Sequence, residues 1–317
     1  MQTEIAIIGA GMAGLACARR LARAGHTPLV LDKGRGIGGR MATRRVIMDD
    51  GDISFDHGAQ YLTVRDPDFA ADLHNLGAAC VRWDDGADSL RLVGVPGMSG
   101  LPRAMAAGLN VRLGAQITAV RAKFDRWQLY IDAARIETRH LVMTVPAPQA
   151  AALLGDGHPL HHRIAGVAMA PCLTLMAAFP ADAPRPFRSR AADDHPLAWI
   201  AQDSSKPGRA GTLTTWVAQA SVEWSERHLE DTSEIIASRM LPILAEVIGV
   251  APQSAVYAAT HRWRYARTVT PLGEPFLCSE DGTLHIGGDW CLGARVEAAW
   301  ASGTAIADTI LEQTGSF

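Results

Sequence analysis

Ile5-Ala6-Ile7-Ile8 runs directly into Gly9-Ala10-Gly11-Met12-Ala13-Gly14, and the stretch reads as a buried strand, a sharp turn and the start of a helix. Gly9 lets the chain turn out of the strand, Gly11 removes a side chain that would keep a pyrophosphate off the backbone, and Gly14 lets the helix pack closely on the strand. Phosphates then sit at the positive end of that helix. Arg19, Arg20 and Arg23 decorate the helix and Gly25 predicts its stop. Pro28-Leu29-Val30-Leu31 is the next strand, ending on Asp32 for a ribose, at roughly the 20-residue spacing such a unit needs. A lone Gly-x-Gly-x-x-Gly is weak evidence. With strand, helix, strand and acid in register it predicts a nucleotide-binding fold, the alternative being a plain tight turn.

At 317 residues the chain is too long for one ordinary core, which predicts two domains or one large α/β unit with an insertion. A formal charge of -3, with acids and bases interspersed, gives no reason to expect nucleic acid or an anionic membrane as partner. Only Lys33, Lys123 and Lys206 are lysines, which limits the lysines available for chemistry. Five cysteines, at positions 17, 80, 172, 278 and 291, show no metal-binding spacing and are odd in number, which fits a reducing cytoplasm. Glu4 before a short apolar strand is unlike a secretory signal, and no uninterrupted run would span a bilayer. The expectation is a soluble cytoplasmic protein with no metal, its oligomeric state open.

Further along, Asp66-Pro67 predicts a helix through Leu76 with Gly77 as its stop. Val111 to Leu113, Ile117 to Val120 and Trp127 to Ile131 resemble a meander of short strands. His140 to Val145 is another strand, stopped by Pro146-Ala147-Pro148. Leu173 to Phe179, Leu197 to Ala201 and Thr212 to Val217 are strand-like, with Ser205-Lys206-Pro207-Gly208 a turn between the last two. Asp231-Thr232-Ser233-Glu234 has a capping-box form before a helix running to about Ile248. Ser254 to Ala266 alternates, placing Tyr257, Ala259, His261, Trp263 and Tyr265 on one strand face. A last strand at Leu284 to Ile286 enters Gly287-Gly288-Asp289-Trp290, and Val296 to Leu311 is a C-terminal helix.

Two segments lengthen the ligand. Lys33-Gly34-Arg35-Gly36-Ile37-Gly38-Gly39-Arg40 is too rich in glycine for a helix and too basic for a core, and Arg40 can make a bidentate contact with a phosphate. An NAD site ends at the ribose acid, so a second phosphate-reaching loop points to FAD, against the alternative of a surface loop with solvated arginines. A strand ending in Gly288-Asp289, followed by a helix from Arg295-Val296-Glu297-Ala298, would set a carboxylate on a ribityl or phosphate group and aim N–H groups at one end of a flavin. The alternative for Asp289 is an ordinary helix cap.

The motifs together resemble one family. Gly9 to Gly14, Gly38-Gly39-Arg40-Met41, Asp56-His57-Gly58-Ala59-Gln60-Tyr61, Trp199 with Ser204-Ser205-Lys206-Pro207-Gly208-Arg209, His261-Arg262-Trp263-Arg264-Tyr265-Ala266 and Gly287-Gly288-Asp289-Trp290 are similar to those of the renalase family, in order over nearly the whole chain. The resemblance implies an α/β fold: a Rossmann-type FAD-binding domain with an inserted mixed-sheet substrate domain, p-hydroxybenzoate-hydroxylase-like, within the amine-oxidase superfamily. The first would take residues 1–70, 99–147 and 271–317, the second 71–98 and 148–270. FAD contacts would carry over onto Ala13, Asp32, Arg40, Gln60, Tyr61 and Asp289, with Ile117 meeting the adenine through its backbone. Gly9, Gly11, Gly14, Lys33, Gly39 and Met41 join the cofactor set from the N-terminal loops, Gly58 and Ala59 from the middle one, and Gly288, Arg295, Val296 and Ala298 from the C-terminal one. The FAD is expected to be non-covalent, since a thioether would need the Cys291 sulfur beside a ring methyl.

The implied activity is oxidation of misreduced 2- and 6-dihydro isomers of NAD(P)H to NAD(P)+, with oxygen yielding hydrogen peroxide. Such a transfer needs stacking at near-attack distance and no general base. His261, Trp263 and Tyr265, with Trp199, Trp290 and Tyr61, would suit an aromatic cage, the plainer alternative for each being sheet packing. His261 is open to three readings: a base, an orienting group for a carboxamide or ribose hydroxyl, or a buried hydrogen-bonded residue. His57 reads as a backbone organiser. The rival activity is a flavin amine oxidase acting on a small amine, many of which use a lysine near flavin N5; none of the three lysines falls at the expected place. A flavin-binding redox sensor without turnover is the third possibility.

Overall fold

The computed structural model describes residues 1–49, 51–131, 134–209 and 211–315. Its first sheet has a parallel centre in the order Leu284–Gly287, Ala134–Met143, Gln2–Ile8, Leu29–Leu31 and Asn110–Arg112. Phe276–Cys278 adds an antiparallel edge, and the start of Ala134–Met143 pairs antiparallel with Arg126–Ile131, which carries Ala119–Lys123. The central strands are apolar on both faces because both faces are covered. Ile5, Ile7, Val30 and Val142 pack against Cys17, Leu21, Ile306 and Ile310 of the helices Met12–Arg23 and Val296–Thr314. Ala6, Ile8, Leu31, Leu141 and Met143 face the other way, toward Trp127, Leu129, Leu160 and Trp290. The two covering helices approach so closely that a Cβ on Gly303 would strike the Ala13 carbonyl.

The second sheet runs in the order Ser189–Ala191, Leu197–Gln202, Thr214–Ala220, Ala168–Phe179 and Tyr257–Thr270, and every pairing in it is antiparallel. Mixed pairing therefore belongs to the first sheet. One face, carrying Leu173, Leu175, Phe179, Ile200 and Trp216, is buried under Ile236, Met240, Leu244 and Ile248 of the helix Ser233–Ile248. The opposite face carries Met176, Ala178 and Val217, which pack on Ile53 and Phe55 of the hairpin Thr43–Val46/Ile53–Asp56. That hairpin leads straight into His57.

One strand, two hairpins and one helix depart from the sequence expectation. Val111 to Leu113 does not belong to the meander: Asn110–Arg112 lies parallel to Leu29–Leu31, because the short helix Gly100–Met105 makes the crossover that a parallel strand requires. Two hairpins had no strong alternation to announce them, Thr43–Val46/Ile53–Asp56 and Cys80–Trp83/Arg91–Gly94. Residues 158–163, polar in sequence and without helical periodicity, lead into a helix, Pro159–Ile164, which His158 caps through its ring nitrogen.

Candidate functional site

The fingerprint turn separates its three glycines by cause. Gly9 sits at φ +112°, and a Cβ there would come within 2.7 Å of the Thr144 hydroxyl. A Cβ on Gly14 would strike the Gly9 carbonyl oxygen. A Cβ on Gly11 would meet no protein atom within 4 Å, so packing does not account for that glycine, and it stands where a pyrophosphate needs bare backbone. The helix starts at Met12 with no side-chain cap and no acid in its first turn, which leaves its positive end uncompensated. Gly39 of the Gly/Arg loop lies over this turn, its Cβ position 3.6 Å from the Gly11 Cα. Among the described residues these features fit the phosphates of a dinucleotide.

Asp32 ends the second strand with its carboxylate accepting from the Ala10 N–H at 2.7 Å and the Gly34 N–H at 2.6 Å. Its carbonyl accepts from the Ala115 N–H at 2.8 Å, which brings the stretch leading to buried Ile117 alongside. Lys33 reaches Gln149 instead, at 3.2 Å. Arg40 and Asp289, expected to touch a ligand separately, are joined: the guanidinium makes a bidentate pair of 2.6 and 2.9 Å and also donates to the Ala266 carbonyl at 3.2 Å. The pair ties the Gly/Arg loop to the C-terminal segment. There Gly288 donates to Ser302 Oγ at 2.9 Å, and the final helix starts at Val296 after Arg295, with Ala298 buried and Met41 buried in the Gly/Arg loop.

His57, His261 and Trp263 form one group, with ring centroids 4.7 Å apart for the histidines, 5.3 Å for His57 on Trp263 and 4.2 Å for His261 on Trp263. The Trp263 indole N–H donates to the His57 carbonyl at 2.8 Å. Burial, with the neighbouring His57 and Arg44 adding to it, pushes His261 down to about 4, and burial lowers His57 as well. Both are neutral near pH 7, and no hydrogen bond engages a His261 ring nitrogen among the described residues. Tyr61 lies 5.4 Å from Trp199, and Arg91 stacks on both, 4.4 and 5.0 Å from their ring centroids.

One expected cage member stands apart. Trp290 is 0% exposed in the core beneath the first sheet, its N–H donating to the Val145 carbonyl at 3.0 Å. Tyr265 lies in a register break, since Cys172 pairs with Trp263 and Ala170 with Arg267, so it is half-buried without a strand partner of its own among the described residues.

Sequence reasoning missed the neighbours that register supplies. Trp199 pairs with Gln219, Gln219 with Thr174 and Thr174 with His261, a row across four strands on the face that meets Gly58. Gln219 donates to the Gly58 carbonyl at 2.7 Å. Lys206, read as a turn residue, is fully buried with its ammonium on Asp203 at 2.7 Å and Asp56 at 3.2 Å, and Arg209 also pairs with Asp56. Burial opposes ionisation of both acids. Lys206 and Arg209 outweigh it at Asp56 and hold that carboxyl below its usual range, whereas Asp203 is pushed up. Burial also pushes the Cys291 thiol up to about 12, far from the reactive thiolate.

Fold and site define a nucleotide-binding oxidoreductase built on two sheets. Residues 7–76 match the NAD(P)-binding Rossmann-like domain and residues 73–311 match flavin containing amine oxidoreductase. The chain belongs to that flavin-containing amine oxidoreductase family and is an FAD-dependent oxidoreductase. A stretch of 49 residues, 16% of this chain, is 50% identical to 15-cis-phytoene desaturase of Synechococcus elongatus and spans 10% of that enzyme. In structure the chain is similar to a candidate protoporphyrinogen oxidase from Exiguobacterium sp. 255-15 (TM-score 0.80, 13% identity, 98% and 99% of the two chains covered). It is also similar to cyclohexylamine oxidase from Brevibacterium oxydans (TM-score 0.75, 14% identity, 99% of each chain) and to putrescine oxidase bound to putrescine (TM-score 0.70, 15% identity, 98% and 99% covered). At these identities the likeness is one of fold. No helix among the described residues is long and apolar enough to cross a membrane.

Proposed function

We propose that the chain is a renalase-like oxidase that returns misreduced 2- and 6-dihydro isomers of NAD(P)H to NAD(P)+. A bound FAD would supply the hydride acceptor and the route for electrons to oxygen, with hydrogen peroxide as the product. Gly9, Gly11, Gly14 and Asp32 would hold its adenine half, and Gly39, Arg40, Asp289 and the Gly58–Gln60 backbone the remainder. The FAD stays non-covalent, a reading supported by the buried, protonated Cys291 thiol.

The observation that carries the reading is His261: neutral, without a hydrogen-bond partner among the described residues, and flanked by the His57 and Trp263 rings. A neutral imidazole donates through one nitrogen and accepts through the other, which matches a carboxamide, and the flanking rings offer faces for stacking a nicotinamide. Arg44 acts on both histidines as a positive charge, while Arg91, stacked on Tyr61 and Trp199, has its charge met by the buried Asp85. The Arg44 charge favours a ligand bearing phosphates over an ammonium. Lys206 is engaged by two carboxylates and is not free to serve a reacting centre.

Oxidation of a small amine is the second reading, favoured by the family and by the fold shared with cyclohexylamine and putrescine oxidases. Anaerobic mixing of the FAD-loaded protein with 2- or 6-dihydro isomers, normal NADH and a panel of amines separates them through the visible flavin absorbance. Rapid bleaching by the dihydro isomers alone is expected. Bleaching by amines alone sinks the proposal, and bleaching by nothing leaves a flavin-binding sensor.

A further inference from the structure

Four charges are buried together beneath the His57 turn, and the activity proposed above uses none of them. Asp56, Asp203 and Lys206 have side chains 0% exposed, and Arg209 has 2%. Buried ion pairs are poor stabilisers, because desolvation cancels most of the Coulomb gain and a packed apolar group does as well. The reason for this group lies in the geometry it enforces.

The Lys206 ammonium has three contacts: an ion pair with Asp203 Oδ1 at 2.7 Å and hydrogen bonds donated to Asp56 Oδ2 at 3.2 Å and Gln60 Oε1 at 3.3 Å. An ammonium only donates, so the third contact fixes which end of the Gln60 amide faces it. The Gln60 NH2 is thereby turned to the carbonyls of Asp56 and, at 3.1 Å, Gly58. The Gly58 carbonyl also takes the Gln219 amide at 2.7 Å, which fills both of its lone pairs. The Ala59 N–H is bound to the Arg40 carbonyl at 2.8 Å, and a Cβ on Gly58 would strike that same carbonyl. With Trp263 on the His57 carbonyl, each peptide plane from His57 to Ala59 is held from a different side.

We propose that Lys206 is a positioning residue: acting through the Gln60 amide, it fixes the peptide planes of His57 to Ala59 against the second sheet, and with them the surface presented to FAD. Asp203 and Arg209 keep the ammonium in place and neutralise the group. The claim is independent of which donor the enzyme oxidises.

The test compares Lys206→Met and Gln60→Ala with the parent by titration with FAD and by visible circular dichroism of the bound flavin. Both variants are expected to alter the flavin dichroism in the same way and to raise the FAD dissociation constant about tenfold, the loss of one charge-assisted contact. Gln60→Ala leaves all four charges in place and tests the amide link, and where Lys206→Met fails to fold, Lys206→Arg, which keeps the charge but not the ammonium geometry, tests the lysine itself with the same change of dichroism expected. A purely structural role predicts a lower melting temperature for Lys206→Met with parental dichroism and parental FAD affinity in Gln60→Ala. That result overturns the proposal.

Discussion

A methyl group added at position 11 tests ligand contact, and one added at position 14 tests packing. Gly11→Ala puts its Cβ where no protein atom lies within 4 Å, at a cap position where alanine costs the apoprotein about 1 kcal/mol or less. Gly14→Ala drives its Cβ into the Gly9 carbonyl and should cost the apoprotein about 1–3 kcal/mol or more. Thermal melts without FAD should therefore separate the variants, while FAD titration should show Gly11→Ala weakened about tenfold or more. Equal melting temperatures for the two would contradict the assignment. These glycines were legible in the sequence because their causes are local or lie in the ligand itself. Lys206 was not, since its partner Asp56 is 150 residues away and Ser-Lys-Pro-Gly is turn chemistry whatever the lysine meets. Trp290 misled for the same reason: its neighbour in sequence is Asp289 at the site, but its indole bonds Val145 in the core.

Elements were legible where their own chemistry sets them. Asp66 caps the helix Pro67–His74 through two N–H groups, and Thr232 caps Ser233–Ile248, which Gly249 ends in the left-handed conformation. The strand Tyr257–Thr270 followed its alternation as far as Trp263, and the break beyond falls opposite Pro171 of the facing strand, a residue with no N–H to give the ladder, so the mark lay in the partner strand's sequence and only the pairing showed what it meant. The final helix illustrates both kinds. Its apolar run predicted Val296–Thr314, yet Glu297 in its first turn, 5% exposed, accepts the N–H groups of Arg65 at 2.6 Å and Asp66 at 2.8 Å, more than 200 residues earlier. The carboxylate also lies at the positive end of its own helix. Glu297→Ala would leave two N–H groups without an acceptor and should cost about 2–4 kcal/mol. Urea unfolding of parent and variant measures it, and a loss below about 0.5 kcal/mol would show that water replaces the carboxylate.

Over the whole molecule the two sheets each carry a histidine pair, His140 with His285 at 6.4 Å buried in the first and buried His57 with half-buried His261 at 4.7 Å beside the second. Burial is the main cause that lowers all four, and it brings His261 and His285 to about 4. His285 is 0% exposed, neither of its ring nitrogens finds a partner among the described residues, and only Asp281 opposes its shift. A histidine lowered in the folded state leaves stability intact above its ordinary value of 6.5 and removes it as the pH falls toward 4, because the unfolded chain takes the proton first. For His285 that amounts to about 3 kcal/mol, with a smaller share from the half-buried His261. Asp56, held below its ordinary 3.8, acts in a lower window, whereas Asp203, raised above it, works in the opposite sense because the folded chain takes that proton first, and it cancels in the comparison of parent with variant below. Urea unfolding of the parent between pH 7 and pH 4.5 should show stability falling with acid. His285→Leu, which fills the same apolar site without a titrating group, should gain about 2 kcal/mol on the parent across that range. Parallel curves for the two proteins would mean that His285 takes its proton in the folded state as readily as in the unfolded one, and that the acid sensitivity lies with the other three histidines.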